Sequence, residues 1–184
     1  MYGNVVGRNR GLTLLELLFV VAIATTIMAL GAPGFRGFLL DTRRTTDINA
    51  FVLAVQLSRS EAAKRGRPIV LCNTTDRLDC ADNGQHFESG WMVFVNTDDA
   101  RPPNRSPEED LLYFHAPQMD GTISANRRLF EFRPFGWRST NGTVTFCDAR
   151  GHSQARAVIV SYTGRPRVSA EGPGGRLLRC GNSP

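Results

Sequence analysis

The sequence predicts an α+β fold in which one long N-terminal helix, with a membrane half and an amphipathic half, packs on an antiparallel β-sheet or sheets. Two patterns support this prediction. The chain up to about Arg65 has helical periodicity, whereas the chain beyond Pro68 has short β-branched and aromatic runs between turn-forming residues. A helix followed by closely spaced strands is the element order of an α+β domain. About 120 of the 184 residues follow the helix, which is enough for one modest domain.

The N-terminal segment is predicted to enter a membrane. From Leu12 to Phe35 the only ionisable side chain is that of Glu16. A helix over residues 12–35 is roughly 36 Å long, which exceeds the roughly 30 Å hydrocarbon core of a bilayer. A carboxylate in such a span costs roughly 2.5–3.5 kcal/mol, so Glu16 is a functional candidate, although it is near enough to the helix start to reach the headgroups. An ordinary signal peptide is the alternative, but its cleavage site follows the apolar run, whereas Gly11 precedes it.

The segment Arg8–Leu18 (RNRGLTLLELL) resembles the type III signal of type IV prepilins and pseudopilins. In that family a dedicated peptidase cuts after the glycine, methylates the new N-terminal residue, and leaves a glutamate at the fifth mature position. The resemblance implies that residues 1–11 are a leader, that cleavage follows Gly11 and that Leu12 is N-methylated. It also implies that Glu16 pairs with a methylated amine in the filament. Leucine replaces the phenylalanine that the family most often has at the first mature position.

The second half of the helix, residues 36–66, is predicted to be amphipathic. Pro33 and Gly34 are expected to kink the helix, as in the family, and Gly66 with Pro68 to end it. An apolar stripe recurs at helical spacing and comprises Ile48, Phe51, Val52, Val55 and Ala62. The other faces are assigned to the charged residues Arg43, Arg44, Asp47, Arg59 and Lys64.

Residues 67–184 are predicted to form the β-rich domain. Six runs carry the strand signal: Ile69–Cys72, Trp91–Val95, Leu111–Phe114, Leu129–Phe132, Thr143–Cys147 and Ala157–Tyr162. Asn141 and Gly142 give a turn signal before the fifth run. The polar segment from Asp98 to Asp110 is interpreted as a solvated loop, because it lacks the alternating oxygen ligands of a calcium site.

The four cysteines, Cys72, Cys80, Cys147 and Cys180, are expected to form disulfides in an oxidising compartment. Three pairings are possible. The short polar loop between Cys72 and Cys80 favours that pair, which leaves Cys147 for Cys180. Zinc is the alternative, but the cysteines lack C-x-x-C spacing and the histidines His86, His115 and His152 do not cluster beside them. We expect no metal and no cofactor.

Positive charge is concentrated at the C-terminal end. The net charge is +5, and all but one of the 22 basic residues are arginine. From Ile123 to Pro184, ten arginines face three carboxylates. Such an end suits an anionic partner, such as nucleic acid or a lipid surface, although a solvated arginine-rich surface is equally consistent. Proline and glycines are expected to hold the segment from Gly164 onward as an irregular basic loop, in which Arg165, Arg167, Arg176 and Arg179 are candidates for phosphate contacts.

Three internal patterns make the chain similar to the GspH/FimT branch of minor pilins and pseudopilins: Gly90–Asn96 (GWMVFVN), Phe132–Gly136 (FRPFG) and Gly164–Arg167 (GRPR). In the FimT subgroup a glycine-arginine-x-arginine motif at the third place is associated with binding incoming DNA. The resemblance therefore implies that Gly164, Arg165 and Arg167 form a DNA-binding site for natural transformation. The alternative is a hairpin turn with solvated arginines. Trp137 and Arg138 are further candidates for this surface, without a spacing argument.

The sequence thus predicts a minor type IV pilin, made as a single-pass protein of the bacterial inner membrane with a periplasmic C-terminal domain. Its expected partners are the prepilin peptidase, other minor and major pilins, the inner membrane, and double-stranded DNA through its phosphates. The alternative is a GspH-like pseudopilin of a type II secretion system. We expect no enzymatic activity, because the sequence contains no nucleophile elbow, phosphate loop or metal-ligand cluster.

Overall fold

The computed structural model describes residues 11–82, 84–134 and 138–181, with side chains 30–33 excepted. Residues 1–10 of the predicted leader, the end of the Phe132–Gly136 pattern and Trp137 lie outside this range. The chain forms two compact units, Met1–Leu39 and Leu40–Pro184.

The helix α1 extends over Leu14–Arg65, close to the predicted bounds. It ends at Gly66, which has a φ of 65° and donates its N–H to the Ala62 carbonyl at 3.0 Å, as expected of a glycine helix cap. Within the described range no single helix is long and apolar enough to cross a bilayer. The segments Leu14–Ala29 and Gly34–Arg65, bent at the break between them, meet the length and composition requirement as a pair. This break coincides with the kink predicted at Pro33.

Two antiparallel four-stranded sheets complete the unit Leu40–Pro184. The first sheet has the order β3-β2-β1-β5 and the second the order β4-β6-β7-β8. The strands are β1 Ile69–Asn73, β2 Trp91–Val95, β3 Leu111–His115, β4 Gly121–Ala125, β5 Leu129–Phe132, β6 Gly142–Asp148, β7 Arg156–Val160 and β8 Pro166–Ser169. The predicted α+β class, with a long helix and antiparallel sheets, is confirmed.

The six predicted strands are present, but β4 and β8 were not predicted. Strand β4 (GTISA) has one large apolar residue, Ile123, and β8 (PRVS) contains a proline and an arginine, so both lack the apolar run that signals a strand. The prediction of an irregular loop is therefore wrong over Pro166–Ser169, because these residues form an edge strand. Pro166 is opposite Val160 in the register, at the end of the sheet, where a missing N–H is tolerated.

The core lies between α1 and both sheets, and Phe51 is at its centre. Phe51 is fully buried and makes edge-on ring contacts at centroid distances of 5.5 Å to Trp91, 5.9 Å to Phe130 and 6.1 Å to Phe146. These partners belong to β2 and β5 of the first sheet and to β6 of the second. One helical side chain therefore joins three layers, and the predicted apolar stripe is confirmed in the buried residues Ile48, Phe51, Val55 and Ala62.

Asp47 was assigned to a helix face other than the apolar stripe, but the structure buries it as deeply as the stripe. Asp47 is fully buried and accepts hydrogen bonds from His115 Nε2 (2.8 Å) and from the backbone N–H groups of Gln118 and Met119 (3.0 and 2.8 Å). The carboxylate thereby satisfies backbone donors of the β3–β4 connection, which no helical periodicity can reveal.

Arg44 was also assigned to a face other than the apolar stripe, and it too is buried. Its guanidinium donates to Asp148 Oδ2 at 3.3 Å and to the Gln154 carbonyl. Arg150 binds the same Asp148 oxygen at 2.6 Å, so the carboxylate at the end of β6 is held between two guanidinium groups. The hydrogen bond from Arg150 is the main reason that the pKa of Asp148 lies below its ordinary value of 3.8.

Glu109 departs from the prediction of a solvated loop between Asp98 and Asp110. Its carboxylate is buried and accepts hydrogen bonds from the backbone N–H groups of Ser106 at 3.0 Å and Thr97 at 2.5 Å. The loop is thus organised around an internal carboxylate.

Candidate nucleic-acid interface

The turn between β7 and β8 has a defined conformation. Ser161 donates its N–H to the Arg165 carbonyl at 3.0 Å, and Gly164 donates its own to the Ser161 carbonyl at 2.9 Å. Gly164 has a φ of 70°, and a Cβ at this position would lie 3.1 Å from Phe132 Cδ1. Backbone conformation and close packing therefore both favour glycine, which gives the predicted site residue Gly164 a positioning role.

Arg165 and Arg167 extend from this turn into the edge strand. Both are exposed. Arg167 is opposite Ile159 in the register, whereas Val158 and Val160 on alternate positions of β7 belong to the core. Because side chains alternate along a strand, Arg167 is on the sheet face opposite to the core.

Three more residues complete the surface around the turn. Arg138 was a candidate from the sequence without a spacing argument, whereas Arg59 and Tyr162 were not predicted. The Cδ atom of Arg59, on α1, lies 3.4 Å from the position of a Cβ at Gly164. The Arg138 guanidinium lies 4.6 Å from the ring centroid of Tyr162, and Tyr162 is within the turn and 51% exposed. We call Arg59, Arg138, Arg165, Arg167 and Tyr162 the turn cluster. Their positions span more than 100 residues of the sequence, so no local pattern signals that they meet.

The arginines of the turn cluster are not neutralised within the part of the chain that the structure describes, since none of them forms an ion pair there. Other arginines of the C-terminal region do: Arg128 pairs with Asp82, Arg133 with Glu131, and Arg150 with Asp148. The positive charge predicted for the C-terminal end is thus partly compensated, and the uncompensated part includes the turn cluster.

The predicted candidates Arg176 and Arg179 are not at this turn. With Gly151 and His152, they line an open cavity at the other end of β7. Strand β7 separates the two places by about 14 Å of backbone, at roughly 3.4 Å per residue. We call Arg176 and Arg179 the tail pair. The predicted DNA-binding residues therefore divide into two groups.

The disulfides pair as the sequence favoured, Cys72 with Cys80 and Cys147 with Cys180. All four cysteines are in disulfide bonds, so none has a free thiol to bind zinc. The second bridge ties the C-terminal tail to β6, and Leu178 packs beside it in a small apolar cluster with Ala155 and Ala157. On the chain-entropy estimate this long-loop bridge stabilises the fold by roughly 3–4 kcal/mol.

The N-terminal candidates lie at the start of α1. The hydroxyl of Thr13 accepts a hydrogen bond from the Glu16 N–H at 3.2 Å, and Leu17 donates its N–H to the Thr13 carbonyl at the same distance. Thr13 is therefore the N-cap, and Glu16 occupies the third helical position, where a carboxylate interacts favourably with the helix dipole. The Thr-x-x-Glu spacing that signals this cap is in the sequence, but the prediction did not use it. Gly11 and Leu12 precede the helix and are exposed.

A family model described as type II transport protein GspH matches residues 47–164. The match covers more than half of the chain, so this chain belongs to the GspH family, as predicted. It ends at Gly164 and does not include Arg165 or Arg167.

The fold is similar to crystal structures of the type IV minor pilin FimU of Pseudomonas aeruginosa strain PAO1. One crystal form gives a TM-score of 0.52 at 18% identity over 77% of this chain and 98% of that chain. A second form gives 0.51 at 18% identity over 79% and 96% of the two chains. At this identity the likeness concerns the fold, which is that of a pilin. A comparison with curated protein sequences gave no match.

Proposed function

We propose that this chain is a minor type IV pilin whose turn cluster binds DNA through its phosphates during DNA uptake for natural transformation. Membership of the GspH family and the pilin fold support the first part. A single observation carries the second part: four exposed arginines, none ion-paired among the described residues, converge on one turn. The role is structural and binding rather than catalytic.

In this proposal the prepilin peptidase cuts after Gly11 and methylates Leu12, and α1 then holds the subunit in the inner membrane with its β domain in the periplasm. Glu16 pairs with a methylated N-terminal amine, which favours the correct register when α1 packs with the helices of other minor and major pilins. A buried carboxylate without such a partner is costly, so the pair selects one arrangement.

The chemistry of the turn cluster suits phosphate. A guanidinium group offers a planar fork of donors that matches two phosphate oxygens and remains charged at every relevant pH. Because the arginines contact the backbone of DNA, binding is expected to be independent of sequence and to weaken steeply with salt. The ordered turn presents two of the arginines without a large entropic cost of fixing the backbone.

A retardation assay with a 30-base-pair duplex and the full chain in a neutral detergent tests this proposal. We expect wild-type protein to retard the duplex and R165Q/R167Q to lose most of the effect. The matched control is R176Q/R179Q, which removes the same charge at the tail pair and is expected to bind almost as well as wild type. Equal losses in both double variants would mean that net charge, and not the turn, governs binding.

A type II secretion pseudopilin is the second candidate, and the description of the matching family model favours it. Deletion of the gene in the cell of origin separates the two roles. A minor pilin of the uptake machinery is needed for piliation and transformation, whereas a pseudopilin is needed for export of secreted proteins with DNA uptake intact.

A further inference from the structure

The pair of Tyr162 and Arg138 has a geometry that phosphate binding does not require. The guanidinium lies over the ring at 4.6 Å from its centroid, while both residues remain exposed. A cation–π contact of this kind holds the ring and the guanidinium against each other even at an exposed site. Contact with the backbone of a duplex needs cations but does not need an exposed aromatic ring in contact with one of them.

The pair is held in place by the backbone on both sides. Ser139, next to Arg138, is buried and donates its N–H to the Tyr162 carbonyl at 3.0 Å. Thr140 donates its N–H to the Glu131 carbonyl at 2.9 Å and accepts the Glu131 N–H through its hydroxyl at 3.2 Å. The segment that carries Arg138 is therefore fixed to both β5 and the turn, so the pair is preorganised before any ligand binds.

An unpaired base can stack on an aromatic ring or on a guanidinium plane, and its phosphates bind nearby arginines. The turn cluster provides all three kinds of group. Bases in the interior of a duplex are stacked on both faces and offer neither face to a side chain. Bases in a single strand stack on exposed aromatic side chains or on arginine planes while neighbouring cations hold the phosphates. Arg59 and Arg165 flank the same turn and supply those cations.

We propose that Tyr162 and Arg138 form a stacking site for an unpaired base, so that the turn cluster takes single-stranded DNA, such as an overhanging end, in preference to a blunt duplex. This inference rests on the proposed function. It adds Tyr162 and Arg138 as the residues that contact a base, beside the arginines that contact phosphates.

The chain provides a control pair of the same chemistry. The Arg77 guanidinium lies 4.2 Å from the ring centroid of Phe114, but that ring is half-buried and packs against a separate apolar cluster. Arg77 also lies between the carboxylates Asp76 and Asp79 in the sequence, in the acid-rich part of the chain. Removal of this arginine is not expected to change DNA binding.

Fluorescence anisotropy with the full chain in a neutral detergent tests the inference with three labelled probes: a 12-residue thymidine strand, an abasic strand of the same length, and a blunt 12-base-pair duplex. Thymidine strands stack weakly on themselves, so their bases are free. We expect wild type to bind the thymidine strand about tenfold tighter than the abasic strand, and also tighter than the blunt duplex. The variant Tyr162→Ala is expected to bind both strands equally, Tyr162→Phe to retain the preference, and Arg77→Gln to match wild type.

The outcomes separate the two proposals. If wild type binds the duplex but does not prefer the thymidine strand to the abasic strand, the stacking site is refuted and phosphate binding stands. The same conclusion follows if Tyr162→Ala has native near-UV circular dichroism and keeps that preference. If no probe binds, both proposals fail. If Tyr162→Ala weakens duplex and strand binding equally, Tyr162 supports the turn rather than a base, which also refutes the stacking site.

Discussion

Replacement of Phe51 by alanine is expected to be among the most damaging single changes in the unit Leu40–Pro184. The side chain is fully buried and contacts four other rings, that of Phe87 in the β1–β2 connection and those of Trp91, Phe130 and Phe146 on the two sheets. Truncation of a buried phenylalanine costs about 3–5 kcal/mol through lost burial and the cavity that remains. Since a domain is stable by only about 5–15 kcal/mol, the loss is a large share of the whole.

The thermal midpoint of the full chain in neutral detergent measures this effect. Unfolding is monitored by near-UV circular dichroism, which reports the packing around Trp91. At about 2–4 °C per kcal/mol for a chain of this size, Phe51→Ala is expected to lower the midpoint by roughly 6–20 °C. Phe51→Leu keeps most of the volume and loses the ring contacts, so its cost is expected to be about 1–2 kcal/mol.

The control is Leu53→Ala, two residues further along the same helix. Leu53 is 51% exposed, so its truncation is expected to change stability by about 0.5 kcal/mol or less. If Phe51→Ala shifted the midpoint no more than Leu53→Ala, the helix would not be packed on both sheets through this residue, and the account of the core would be wrong.

Three further outcomes follow from buried polar groups and the tail bridge. Asp47→Ala leaves two backbone N–H groups and a histidine without their acceptor, so we expect a loss of about 2–5 kcal/mol in chemical denaturation, whereas Asp47→Asn recovers part of it. Cys147→Ser opens the tail bridge and is expected to cost roughly 3–4 kcal/mol, with earlier proteolysis after Leu178. The lowered pKa of Asp148 contributes stability that is present above its ordinary value of 3.8 and is lost as the pH falls through the lower folded value. When the thermal midpoint is measured against pH, it should therefore fall below about pH 4, and it should fall less in Asp148→Asn than in wild type. If the two proteins lost the same amount, the role of the Arg150 contact would be contradicted.

The sequence predicted the elements that have strong local signals. The helix, its glycine end and the six apolar strands were recognisable because each has its own periodicity or turn residues. Strands β4 and β8 were not, because neighbouring strands and the hydrogen-bond ladder stabilise them more than their own apolar content does. The proline and arginine of β8 are typical of a sheet edge, which a local pattern cannot distinguish from a loop.

Burial of charge was the other property that the sequence did not predict. Arg44 and Asp47 interrupt no apolar stripe, and apart from Asp41, which pairs with Arg44, their partners lie about 70–110 residues away. The candidate site shows the same limit: the glycine-arginine pattern indicated Gly164, Arg165 and Arg167, but only the tertiary structure brings Arg59, Arg138 and Tyr162 to the same turn and takes Arg176 and Arg179 to the other end of β7.

The salt dependence of duplex binding tests the central claim, that the turn cluster holds DNA phosphates, most directly. For duplex DNA, the slope of log affinity against log salt falls by about 0.9 for each phosphate contact removed. We therefore expect R165Q/R167Q to reduce the wild-type slope by about 1.8, and R176Q/R179Q to leave it unchanged. A slope that is the same in R165Q/R167Q as in wild type would contradict the claim, because those two arginines would then contact no phosphate.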